Sequence, residues 1–599
     1  MPADRVAPPL VEVTGLSVTA RGADGREARI VHDVGFSIAR GEVLALIGES
    51  GSGKTTIALA LMGYARAGCR IAGGTVRLGE TQVLALPPSG LRALRGRRVA
   101  YVAQSAAASF NPSRSIMAQV TEIARIHGTA SGAEAEARAV ELFRDLALPN
   151  PETIGQRYPH QVSGGQLQRL MAAMALIADP ELVILDEPTT ALDVTTQIEV
   201  LRAFKSAVRG RGTTGVYVSH DLAVVAQMAD RIAVLRGGTL LEIDSTARIL
   251  STPQHPYTQS LLAAARPVPR GAAEPDASAR PALEVEVLTA GYGALNVLQE
   301  VSFSIPRGSA LGVIGESGCG KSTLARVIAG LLPAKSGRVR LDGQELPPAL
   351  PARTPDQLRR VQLVFQSADT ALNPRNTVAN ILGRPLAFFH GAKGADQETR
   401  VRQLLDRVQL PAALANRLPN ELSGGQKQRV NLARALAAEP DVILCDEVTS
   451  ALDTVVGAAI LDLMDQLRRE LGLSIMFISH DLHTVRSVCD AVMVLYAGHA
   501  VESGSRHAIE TAPWHPYTGL LIGSVPELRP GWLEERAARA PAEVPRGTGA
   551  ACTFFARCPV RIEGTCETVP PPLRQVSKGS AMLCHHDEAA LMRLLPGGA

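Results

Sequence analysis

The sequence has no apolar stretch long enough to cross a bilayer as a helix. Its longest apolar runs are LMAAMALIA at 170–178 and AVMVLYAG at 491–498, whereas a membrane-spanning helix requires ~20 such residues. The beginning of the chain, MPADRVAPPLVEV, has no basic segment followed by an apolar one, so we expect no secretory signal. These features predict a protein of the cytoplasm, where its eight cysteines are kept reduced.

An excess of one charge is also missing. The chain has 61 Lys and Arg against 58 Asp and Glu, a net charge of +3, which is not the strongly basic pattern of a nucleic-acid-binding protein. With 46% hydrophobic and 20% charged residues, the composition is that of a globular protein. A length of 599 residues suits two or three domains rather than one.

What the sequence does contain is a series of four motifs that occurs twice in the same order. GESGSGKT ends at Thr55 and GESGCGKS at Ser322; VSGGQLQR begins at Val162 and LSGGQKQR at Leu422; VILDEPTTALD begins at Val183 and ILCDEVTSALD at Ile443; VSHDL begins at Val218 and ISHDL at Ile478. A single P-loop pattern is weak evidence, but a duplicated, ordered series is not plausible chance. We therefore predict two homologous domains.

The domain boundaries follow from where this pattern repeats and where it stops. We place the first domain at 9–265 and the second at 283–526, followed by a C-terminal extension at 527–599. Between the domains, RPVPRGAAEPDASARPA at 266–282 is dense in Pro and Ala without periodicity, which is typical of a linker. The segment EVLALIG reads as a strand that leads into the first P-loop, and IALALMGYA has helical apolar spacing, so an α/β fold is predicted.

The two P-loops supply the residues expected to hold a nucleotide. Glycines let backbone N–H groups surround the β-phosphate, a lysine reaches the β- and γ-oxygens, and a hydroxyl binds Mg²⁺. The candidates are Gly48, Ser50, Gly51, Gly53, Lys54, Thr55 and Thr56 in the first copy, and Gly315, Ser317, Gly318, Gly320, Lys321, Ser322 and Thr323 in the second. Thr55 and Ser322 are the expected Mg²⁺ ligands.

Paired acids follow a hydrophobic strand in each copy. Asp186 and Asp446 come directly after LVIL and VILC, which places a carboxylate at the end of a buried strand, where it can hold Mg²⁺ through water. Glu187 and Glu447 follow, and a carboxylate there can orient or deprotonate the attacking water. Acids in a solvated turn are the alternative, but both copies keep DE followed by ALD, which favours the catalytic interpretation.

On these motifs the chain resembles a fused pair of ABC-type ATPase subunits, and SGGQ is the most specific element of the resemblance. It implies two tandem α/β P-loop domains, each with a RecA-like core, a β-subdomain and an α-helical signature subdomain. It also implies that each signature sequence closes on ATP held by the other half, so that hydrolysis requires both halves. The residues concerned are Ser163, Gly164, Gly165 and Gln166 in the first copy and Ser423, Gly424, Gly425 and Gln426 in the second.

The resemblance implies further roles residue by residue. Gln104 and Gln366 match the loop glutamine that contacts Mg²⁺ and the nucleophilic water and links the site to the membrane partner. His220 and His480 match the histidine that contacts the γ-phosphate, and Asp193 and Asp453 match the loop that passes between the two sites. Because both halves keep the glutamate and the histidine, we predict two hydrolysing sites.

One position departs from the family pattern. Alignment of LSVTA with LTAGY sets Ala20 opposite Tyr292, where the family places an aromatic residue that stacks on adenine. Such stacking contributes on the order of 1 kcal/mol, so the first site is expected to hold ATP more weakly or to borrow a residue near Arg21. Substitution of Tyr292 by Ala should weaken nucleotide binding at one site only.

Short motifs outside the ATPase core point to one group of ABC proteins. QHPYTQSLL from Gln254 and WHPYTGLLIGSVP from Trp514, with SFNPSRS and ALNPRNT after the loop glutamines, resemble peptide- and nickel-importing ABC proteins. This implies an ATPase subunit at the cytoplasmic face of the membrane, with two permease subunits and an extracytoplasmic solute-binding protein. The two ATPase halves would pair within one chain rather than form a homodimer.

The cargo and the class of protein each leave an alternative. Peptides are the predicted cargo; nickel or a metal chelate, and glutathione, are alternatives. A soluble tandem ATPase acting on ribosomes or DNA is the other class, but the short Pro/Ala-rich linker and the terminal position of the cysteine cluster disfavour it.

Four cysteines are concentrated in the C-terminal tail. Cys552, Cys558, Cys566 and Cys584 suggest metal thiolates rather than disulfides in a reduced compartment. Their spacing lacks the CxxC pairs of structural zinc sites and matches neither common ferredoxin arrangement. The tail is similar to the cysteine-rich tail of peptide-importer ATPases, which implies a [4Fe–4S] cluster; zinc and metal-free thiols are the alternatives, with His585 and His586 as substitute ligands. Elsewhere, Cys319 in the second P-loop could make that site sensitive to thiol reagents.

Overall fold

The structure is a computed structural model of the chain. It describes residues 8–22, 25–189, 192–266, 280–450, 452–536 and 551–595. Nearly all of the predicted linker therefore lies outside the described residues. Among the residues that are described, none of the helices combines the length and the apolar character needed to cross a membrane.

The described chain divides into two compact units. The first unit contains the residues up to Arg266 together with Asp453–Val455 and 526–536, and the second contains 280–452, Val456–Val525 and 551–595, apart from position 451. The prediction assigned residue 527 onward to one C-terminal extension, whereas 526–536 packs with the first unit. We call the segment 526–536 the strap.

The first unit has a four-stranded antiparallel sheet in the order β2-β1-β4-β5 and a six-stranded sheet in the order β10-β9-β3-β8-β7-β6. Its strands are β1 (Val11–Arg21), β2 (Glu27–Ile38), β3 (Val43–Ile47), β4 (Cys69–Leu78), β5 (Thr81–Gln82), β6 (Val99–Val102), β7 (Leu182–Asp186), β8 (Thr214–Val218), β9 (Arg231–Arg236) and β10 (Thr239–Ser245). Only β10 runs antiparallel in the six-stranded sheet.

Twelve helices of the first unit precede Arg266 among the residues described. They are α1 (Lys54–Ala60), α2 (Pro88–Leu94), α3 (Ala106–Ser109), α4 (Ile116–Val120), α5 (Glu122–Ile126), α6 (Gly132–Asp145), α7 (Pro151–Ile154), α8 (Gly164–Leu176), α9 (Val194–Gly210), α10 (Leu222–Met228), α11 (Thr246–Ser251) and α12 (Pro256–Ala265). As predicted, β3 leads through the P-loop into α1. All five residues of β3 are buried, alternating between two apolar clusters, because the sheet is covered on both faces.

The second unit repeats this plan with a larger sheet. Its strands are β11 (Pro281–Tyr292), β12 (Leu295–Pro306), β13 (Ala310–Ile314), β14 (Ser336–Leu341), β15 (Gln344–Glu345), β16 (Val361–Val364), β17 (Val442–Asp446), β18 (Ser474–Ile478), β19 (Ala491–Tyr496), β20 (His499–Ser505), β21 (Leu573–Gln575) and β22 (Ser580–Leu583). The antiparallel sheet has the order β12-β11-β14-β15 and the main sheet the order β16-β17-β18-β13-β19-β20-β22-β21.

The remaining helices include α23, which lies in the strap. They are α13 (Lys321–Ile328), α14 (Pro355–Arg360), α15 (Ala368–Ala371), α16 (Val378–His390), α17 (Gly394–Arg407), α18 (Gly424–Leu436), α19 (Thr454–Leu471), α20 (Leu482–Val488), α21 (Arg506–Glu510), α22 (Pro516–Ile522), α23 (Trp532–Glu535) and α24 (Glu588–Leu594).

The tail is joined to the second unit through its sheet. β22 pairs antiparallel with β20, with Ser503 opposite Ala581, and β21 continues the sheet beyond it. The Lys578 ammonium pairs with Glu502, whose side chain is fully buried. The cysteine-bearing segment is therefore continuous with the ATPase sheet of that unit.

The strap completes the apolar core of the first unit. Trp532 and Leu533 are buried in the same core as α9 and α10. Gln227 Nε2 donates to the carbonyls of Glu527 and Arg529, both at 2.8 Å, and its Oε1 accepts from the N–H of Leu533 at 3.1 Å. A buried amide side chain that holds three strap backbone groups fixes the strap in place.

Candidate active site

Each P-loop is a tight turn between a strand and a helix that only glycine allows at several positions. Gly53 and Gly320 have φ of 92° and 113° at the N-termini of α1 and α13, a region that favours glycine. A Cβ at Gly48 would lie 2.0 Å from the carbonyl oxygen of Leu235. The loop therefore passes against the neighbouring strand with no room for a side chain.

The P-loop lysines are buried and hold the loop's own carbonyls. Lys54 Nζ donates to the carbonyls of Gly48 and Glu49 at 2.8 and 2.9 Å, and Lys321 Nζ donates to those of Gly315 and Glu316 at 2.7 and 3.0 Å. Burial is the main cause that lowers the pKa of Lys54 below its ordinary value, against the nearby carboxylates, which raise it.

The predicted Mg²⁺ ligands meet in both units. Thr55 Oγ1 donates to Asp186 Oδ1 at 3.0 Å, and Ser322 Oγ donates to Asp446 Oδ1 at 2.9 Å. Burial raises the pKa of both aspartates above its ordinary value, although these hydrogen bonds lower it. A hydroxyl and a carboxylate at the mouth of a phosphate loop are the oxygen donors that Mg²⁺ prefers, so the residues fit the ion.

Sequence analysis missed Tyr101, which belongs to the first site. Its hydroxyl donates to Asp186 Oδ2 at 2.7 Å, so both carboxylate oxygens of Asp186 accept a hydrogen bond. Burial is the main cause that raises the pKa of Tyr101, followed by this bond. The equivalent position of the second copy is Leu363, three residues before the loop glutamine, and this difference between the copies is the signal that could have found Tyr101.

The predicted catalytic glutamate contacts both the histidine and the loop glutamine in each unit. His220 Nδ1 lies 3.1 Å from Glu187 Oε1, and Gln104 Nε2 donates to Glu187 Oε2 at 3.3 Å. In the second unit, His480 Nδ1 lies 3.5 Å from Glu447 Oε1, and Gln366 Nε2 donates to Glu447 Oε2 at 2.8 Å. The structure thus brings together three residues that the sequence places in three separate motifs.

The backbone of the glutamates is strained. Glu187 and Glu447 both have φ of 48°, in the left-handed region that non-glycine residues seldom adopt. Their N–H groups donate to the backbone carbonyls of Val218 and Ile478, at the ends of the neighbouring strands. Strain held by surrounding structure is characteristic of functional positions.

Charge coupling sets the protonation of these groups. Burial lowers the pKa of His480, but the hydrogen bond and charge of Glu447 outweigh it, so the pKa is raised above its ordinary value; the same holds for His220 beside Glu187. Burial raises the pKa of Glu447, but His480 outweighs it and holds the pKa below its ordinary value. Glu447 is therefore ionised at neutral pH.

The signature residues begin helices α8 and α18. Ser163 Oγ accepts from the N–H of Gln166 at 3.3 Å and Gln166 Oε1 accepts from the N–H of Ser163 at 3.0 Å, and Ser423 and Gln426 do the same at the same distances. This reciprocal cap starts each helix with an exposed serine and glycine. Among the described residues, no hydrogen bond joins a signature sequence to the P-loop of its own unit.

Gly165 and Gly425 let a second helix approach the signature helix. A Cβ on Gly165 would lie 2.2 Å from Thr196 Cγ2 of α9, and one on Gly425 would lie 2.5 Å from Val456 Cγ1 of α19. These two glycines are therefore required for packing as well as for any contact with phosphate.

The two loop aspartates have different surroundings. Asp193 caps α9, because its carboxylate accepts from the N–H of Thr196 at 3.0 Å. Asp453 lies in the first unit, where its Oδ2 accepts from the N–H of Ser50 at 3.3 Å, and the next residue, Thr454, donates from Oγ1 to the carbonyl of His220 at 2.9 Å.

Tyr292 lies at the end of β11 with 48% of its surface exposed, and its hydroxyl accepts from Arg326 Nη1 at 3.2 Å. Ala20 lies near the end of β1 in the first unit. The exposed ring of Tyr292 is available for stacking, and the side chain of Ala20 is too small for it.

The HPYT segments reach the P-loops. The tyrosine hydroxyl accepts from the P-loop backbone in both units: Tyr257 from Glu49 N at 3.3 Å and Tyr517 from Glu316 N at 2.8 Å. His515 Nδ1 accepts from the N–H of Tyr517 at 3.1 Å and so caps α22, and burial lowers the pKa of His515 to about 4, which keeps the ring neutral for this role. The motif connects the end of each ATPase core to its own phosphate loop.

The four tail cysteines lie near one another as free thiols. Burial is the main cause that raises the pKa of Cys552, Cys558 and Cys584, and the charges of other tail cysteines raise each of these three pKa values further. In the described part of the chain, however, no group of three or more His, Cys, Asp or Glu has the geometry to hold a metal ion. The expected [4Fe–4S] cluster and zinc are thus without support from the geometry.

Two further cysteine and histidine expectations are not supported. His585 and His586 each place Nε2 against a backbone carbonyl, of Val569 at 3.0 Å and Val560 at 2.7 Å, rather than toward the thiols. Cys319 is buried, and burial raises its pKa, which opposes the thiolate that reacts with thiol reagents.

Comparison with known proteins identifies the class. The family described as ABC transporter matches residues 31–190 and 298–450, and the one described as oligopeptide/dipeptide transporter, C-terminal region, matches 241–286 and 501–566. The chain belongs to the ABC transporter family, and both copies of the predicted ATPase domain are members. It is therefore an ATP-hydrolysing protein.

Similar curated proteins span the full length. The glutathione import ATP-binding protein GsiA of Pectobacterium atrosepticum is 36% identical and covers 96% of this chain and 97% of its own. The protein of the same name from Escherichia coli K12 is 36% identical, covering 85% and 88%. Among solved structures, the post-hydrolysis dimer of the ATP-binding cassette MJ0796 bound to ADP and Pi matches with a TM-score of 0.35 and 30% identity, covering 37% of this chain and 98% of that one.

Proposed function

We propose that this protein is the ATP-hydrolysing subunit of a membrane importer for peptides or peptide-like solutes. The observation that carries the proposal is the link between two parts of each half: the P-loop with its predicted hydrolytic residues, and the HPYT segment, whose tyrosine hydroxyl accepts a hydrogen bond from that P-loop. The second part matches the C-terminal region of oligopeptide and dipeptide transporters. Two permease subunits and an extracytoplasmic solute-binding protein are its partners, and it acts at the cytoplasmic face of the membrane.

The cargo class is narrowed by the relatives. Their names specify glutathione import, and glutathione is itself a small peptide, so it falls within the proposed cargo class. No feature of the described residues favours nickel or a metal chelate, or action on ribosomes or DNA.

Each site is proposed to divide the chemistry among its residues as follows. Backbone N–H groups of Gly51, Gly53 and the residues after them, with Lys54, hold the β- and γ-phosphates. Glu187 orients the attacking water and takes its proton, Gln104 holds that water and the metal, and His220 contacts the γ-phosphate. The second site uses the equivalent set, Gly318, Gly320, Lys321, Glu447, Gln366 and His480.

Mg²⁺ is the expected cofactor of both sites. Thr55 and Asp186 hold it in the first site, and Ser322 and Asp446 in the second. When bound, it neutralises the charge that develops on the phosphate oxygens.

We propose that each ATP is completed by the signature sequence of the other half: Ser423–Gln426 for the first P-loop and Ser163–Gln166 for the second. Membership of both copies in the ABC transporter family supports this pairing, and Asp453 is assigned to the loop that passes between the two sites. Asp193 is assigned the reciprocal role, and Tyr292 stacks on adenine at the second site.

Transport and catalysis are tested together. In a strain lacking the gene, uptake of a labelled tripeptide and of glutathione should be lost and should return with the intact gene. It should not return with Glu187→Gln combined with Glu447→Gln, because general-base catalysis contributes roughly 10²-fold or more to turnover. Uptake of both compounds that is unchanged by deletion, with loss of nickel uptake instead, would refute the proposed cargo class.

We also propose that the four tail cysteines hold a [4Fe–4S] cluster. The proposal is supported by the occurrence of four cysteines within one short tail segment and by the similarity of that tail to the cysteine-rich tail of peptide-importer ATPases. Anaerobic purification followed by iron and sulfide analysis is the test. Four iron and four sulfide per chain are expected, whereas one zinc, or no metal, would refute the cluster.

A further inference from the structure

The second P-loop contacts a residue from the cysteine-rich tail. Arg557, which precedes Cys558, donates from Nη1 to Glu316 Oε2 at 2.6 Å and from Nη2 to Glu316 Oε1 at 2.8 Å. The two side chains are only 12% and 6% exposed. Two parallel, charge-assisted hydrogen bonds in a buried setting fix both partners in geometry as well as in charge.

Glu316 is itself part of the machinery that holds the phosphate lysine. Its carbonyl accepts from Lys321 Nζ at 3.0 Å, and its N–H donates to the hydroxyl of Tyr517 at 2.8 Å. Arg557 therefore acts on the one P-loop residue that contacts both the lysine and the HPYT helix.

Aromatic packing places the arginine. Phe554, three residues earlier in the tail, is 1% exposed and packs against Tyr496 with ring centroids 5.2 Å apart and against Tyr517 at 5.5 Å. The guanidinium of Arg557 lies 5.9 Å from the centroids of Tyr496 and Phe554. The buried ring of Phe554 thus fixes the tail beside the P-loop, and the Arg557 guanidinium supplies the charge that faces it.

The first unit obtains a guanidinium at the corresponding place from its own sheet. Arg236, the last residue of β9, lies 4.8 Å over the ring of Tyr257, which accepts from the N–H of Glu49. In the repeat, Arg236 aligns with Tyr496, as RIAVLR with AVMVLY. The second unit therefore has a tyrosine where the first has the strand arginine, and its guanidinium comes from the tail.

The P-loop glutamates of the two units also differ in their ion pairs. Among the described residues, Glu49 has no ion pair, whereas Glu316 forms a bidentate ion pair with Arg557.

We propose that Arg557 is a positioning residue of the second ATP site, which holds the P-loop through Glu316 and makes nucleotide affinity at that site depend on the folded tail. The inference rests on the proposed assignment of Lys321 to a nucleotide site. It assigns a role in nucleotide binding to the segment Cys552–Cys558, whatever the four thiols bind.

The test measures nucleotide affinity at one site at a time in the full-length protein. In a Lys54→Ala background, titration with fluorescent trinitrophenyl-ADP and Mg²⁺ reports the second site. Arg557→Ala should raise Kd roughly tenfold, since it removes two buried, charge-assisted hydrogen bonds to Glu316. Arg557→Lys keeps the positive charge but cannot form the bidentate ion pair, so it should raise Kd roughly threefold.

Matched controls separate positioning from damage to the tail. Arg561, on the same segment, is 43% exposed and lies near Phe555 and Glu563, so Arg561→Ala should change Kd less than roughly twofold. In a Lys321→Ala background, which reports the first site, Arg557→Ala should have no effect. Arg557→Ala combined with Glu316→Gln should be no weaker than either change alone, because both break one contact.

Each other outcome has a defined meaning. An Arg557→Ala protein that binds as tightly as the Arg561→Ala protein, equal losses at both sites, or losses that multiply in the double variant would overturn the inference alone. If the Lys54→Ala protein binds no nucleotide before any tail change, the assignment of the second P-loop fails, and the inference fails with it.

Discussion

Single residues make the two sites different although their motifs match. Tyr101 donates a second hydrogen bond to Asp186, whereas Leu363 at the corresponding position cannot. Ala20 and Tyr292 differ at the predicted adenine position, and Arg557 pairs with Glu316, the P-loop glutamate of the second unit. The second unit therefore has an exposed aromatic ring and an anchored P-loop, whereas in the first unit the predicted metal-binding carboxylate accepts an additional hydrogen bond.

The first prediction concerns Tyr101. Burial raises the pKa of Asp186, and the hydrogen bonds from Tyr101 and Thr55 lower it. Tyr101→Phe should therefore make Asp186 harder to ionise and cost about 1 kcal/mol of Mg²⁺ binding, roughly a fivefold higher Mg²⁺ requirement at the first site. The Mg²⁺ dependence of nucleotide binding in a Lys321→Ala background measures this.

Leu363→Met at the equivalent position serves as the control for Tyr101→Phe. It should leave the Mg²⁺ requirement of the second site as it was. A Tyr101→Phe protein with unchanged Mg²⁺ dependence, also at a pH one unit lower, would show that the hydroxyl is irrelevant to the metal.

The second prediction concerns pH and the His480–Glu447 pair. The pKa of His480 is raised above its ordinary value of 6.5, so the stability it contributes is present below that value and is lost as pH rises through the raised pKa. The pKa of Glu447 is lowered below 4.5, so its contribution is lost only as pH falls through the lowered pKa. The ion pair between His480 and Glu447 should therefore stabilise the folded protein most between pH 4.5 and pH 6.5, the ordinary pKa values of the two groups.

Thermal melts of His480→Gln and the parent protein can check this. The difference in melting temperature should be larger at pH 6 than at pH 9. His483→Gln, which removes an exposed histidine three residues further along the chain, is the matched control. A difference for His480→Gln that grows toward pH 9 would contradict the sign of the shift.

At the scale of elements, much of the arrangement could be predicted from the sequence. A strand, a glycine-rich turn and a helix are local patterns, and β3, the P-loop and α1 confirm them. The acids at the ends of β7 and β17 follow from the same logic. Short-range periodicity and turn chemistry determine these elements, so they are visible in a single sequence.

Contacts between distant segments could not be predicted. Arg557 and Glu316 are 241 residues apart in the chain, and Gln227 and Glu527 are 300 apart. No periodic pattern in the sequence around these residues indicates which distant residue each one contacts. The cysteine spacing likewise suggested a ligand set without showing how the thiols are arranged, and the two neighbouring histidines face backbone carbonyls instead.

The strap carries the third prediction. Trp532 is 1% exposed in the core of the first unit, so Trp532→Ala should lower the free energy of unfolding of that unit by about 3–5 kcal/mol. Denaturant titration followed by protection of first-unit peptides from proteolysis can locate the loss. Leu594→Ala, at a half-exposed position of α24, should leave it unchanged. Equal loss in both units would argue against the assignment of the strap to the first.

At the scale of the whole molecule, the proposed pairing of the two halves predicts that a change in one signature sequence affects the ATP site of the other half. Ser423→Ala should reduce hydrolysis at the Lys54 site by roughly 10²-fold, as loss of a preorganised donor to phosphate does. Ser163→Ala should do the same for the Lys321 site. Vanadate trapping of azido-labelled nucleotide, followed by cleavage between the halves, reports each site separately.

The opposite pattern would disprove the exchange of signature sequences. If Ser423→Ala abolished trapping only in the half that carries Lys321, each half would be a self-contained enzyme. Met592→Ala, at a half-exposed position of α24, is the control and should alter trapping in neither half.

The strap also bears on how the chain is made. Residues up to Arg266 leave the ribosome long before Trp532, yet the hydrophobic interior they enclose is finished by that indole. A nascent polypeptide in which only the first ATPase unit has been synthesised therefore lacks part of that core until the strap is made. Premature stop codons upstream of the strap should yield aggregation-prone or rapidly degraded fragments rather than a usable half-protein.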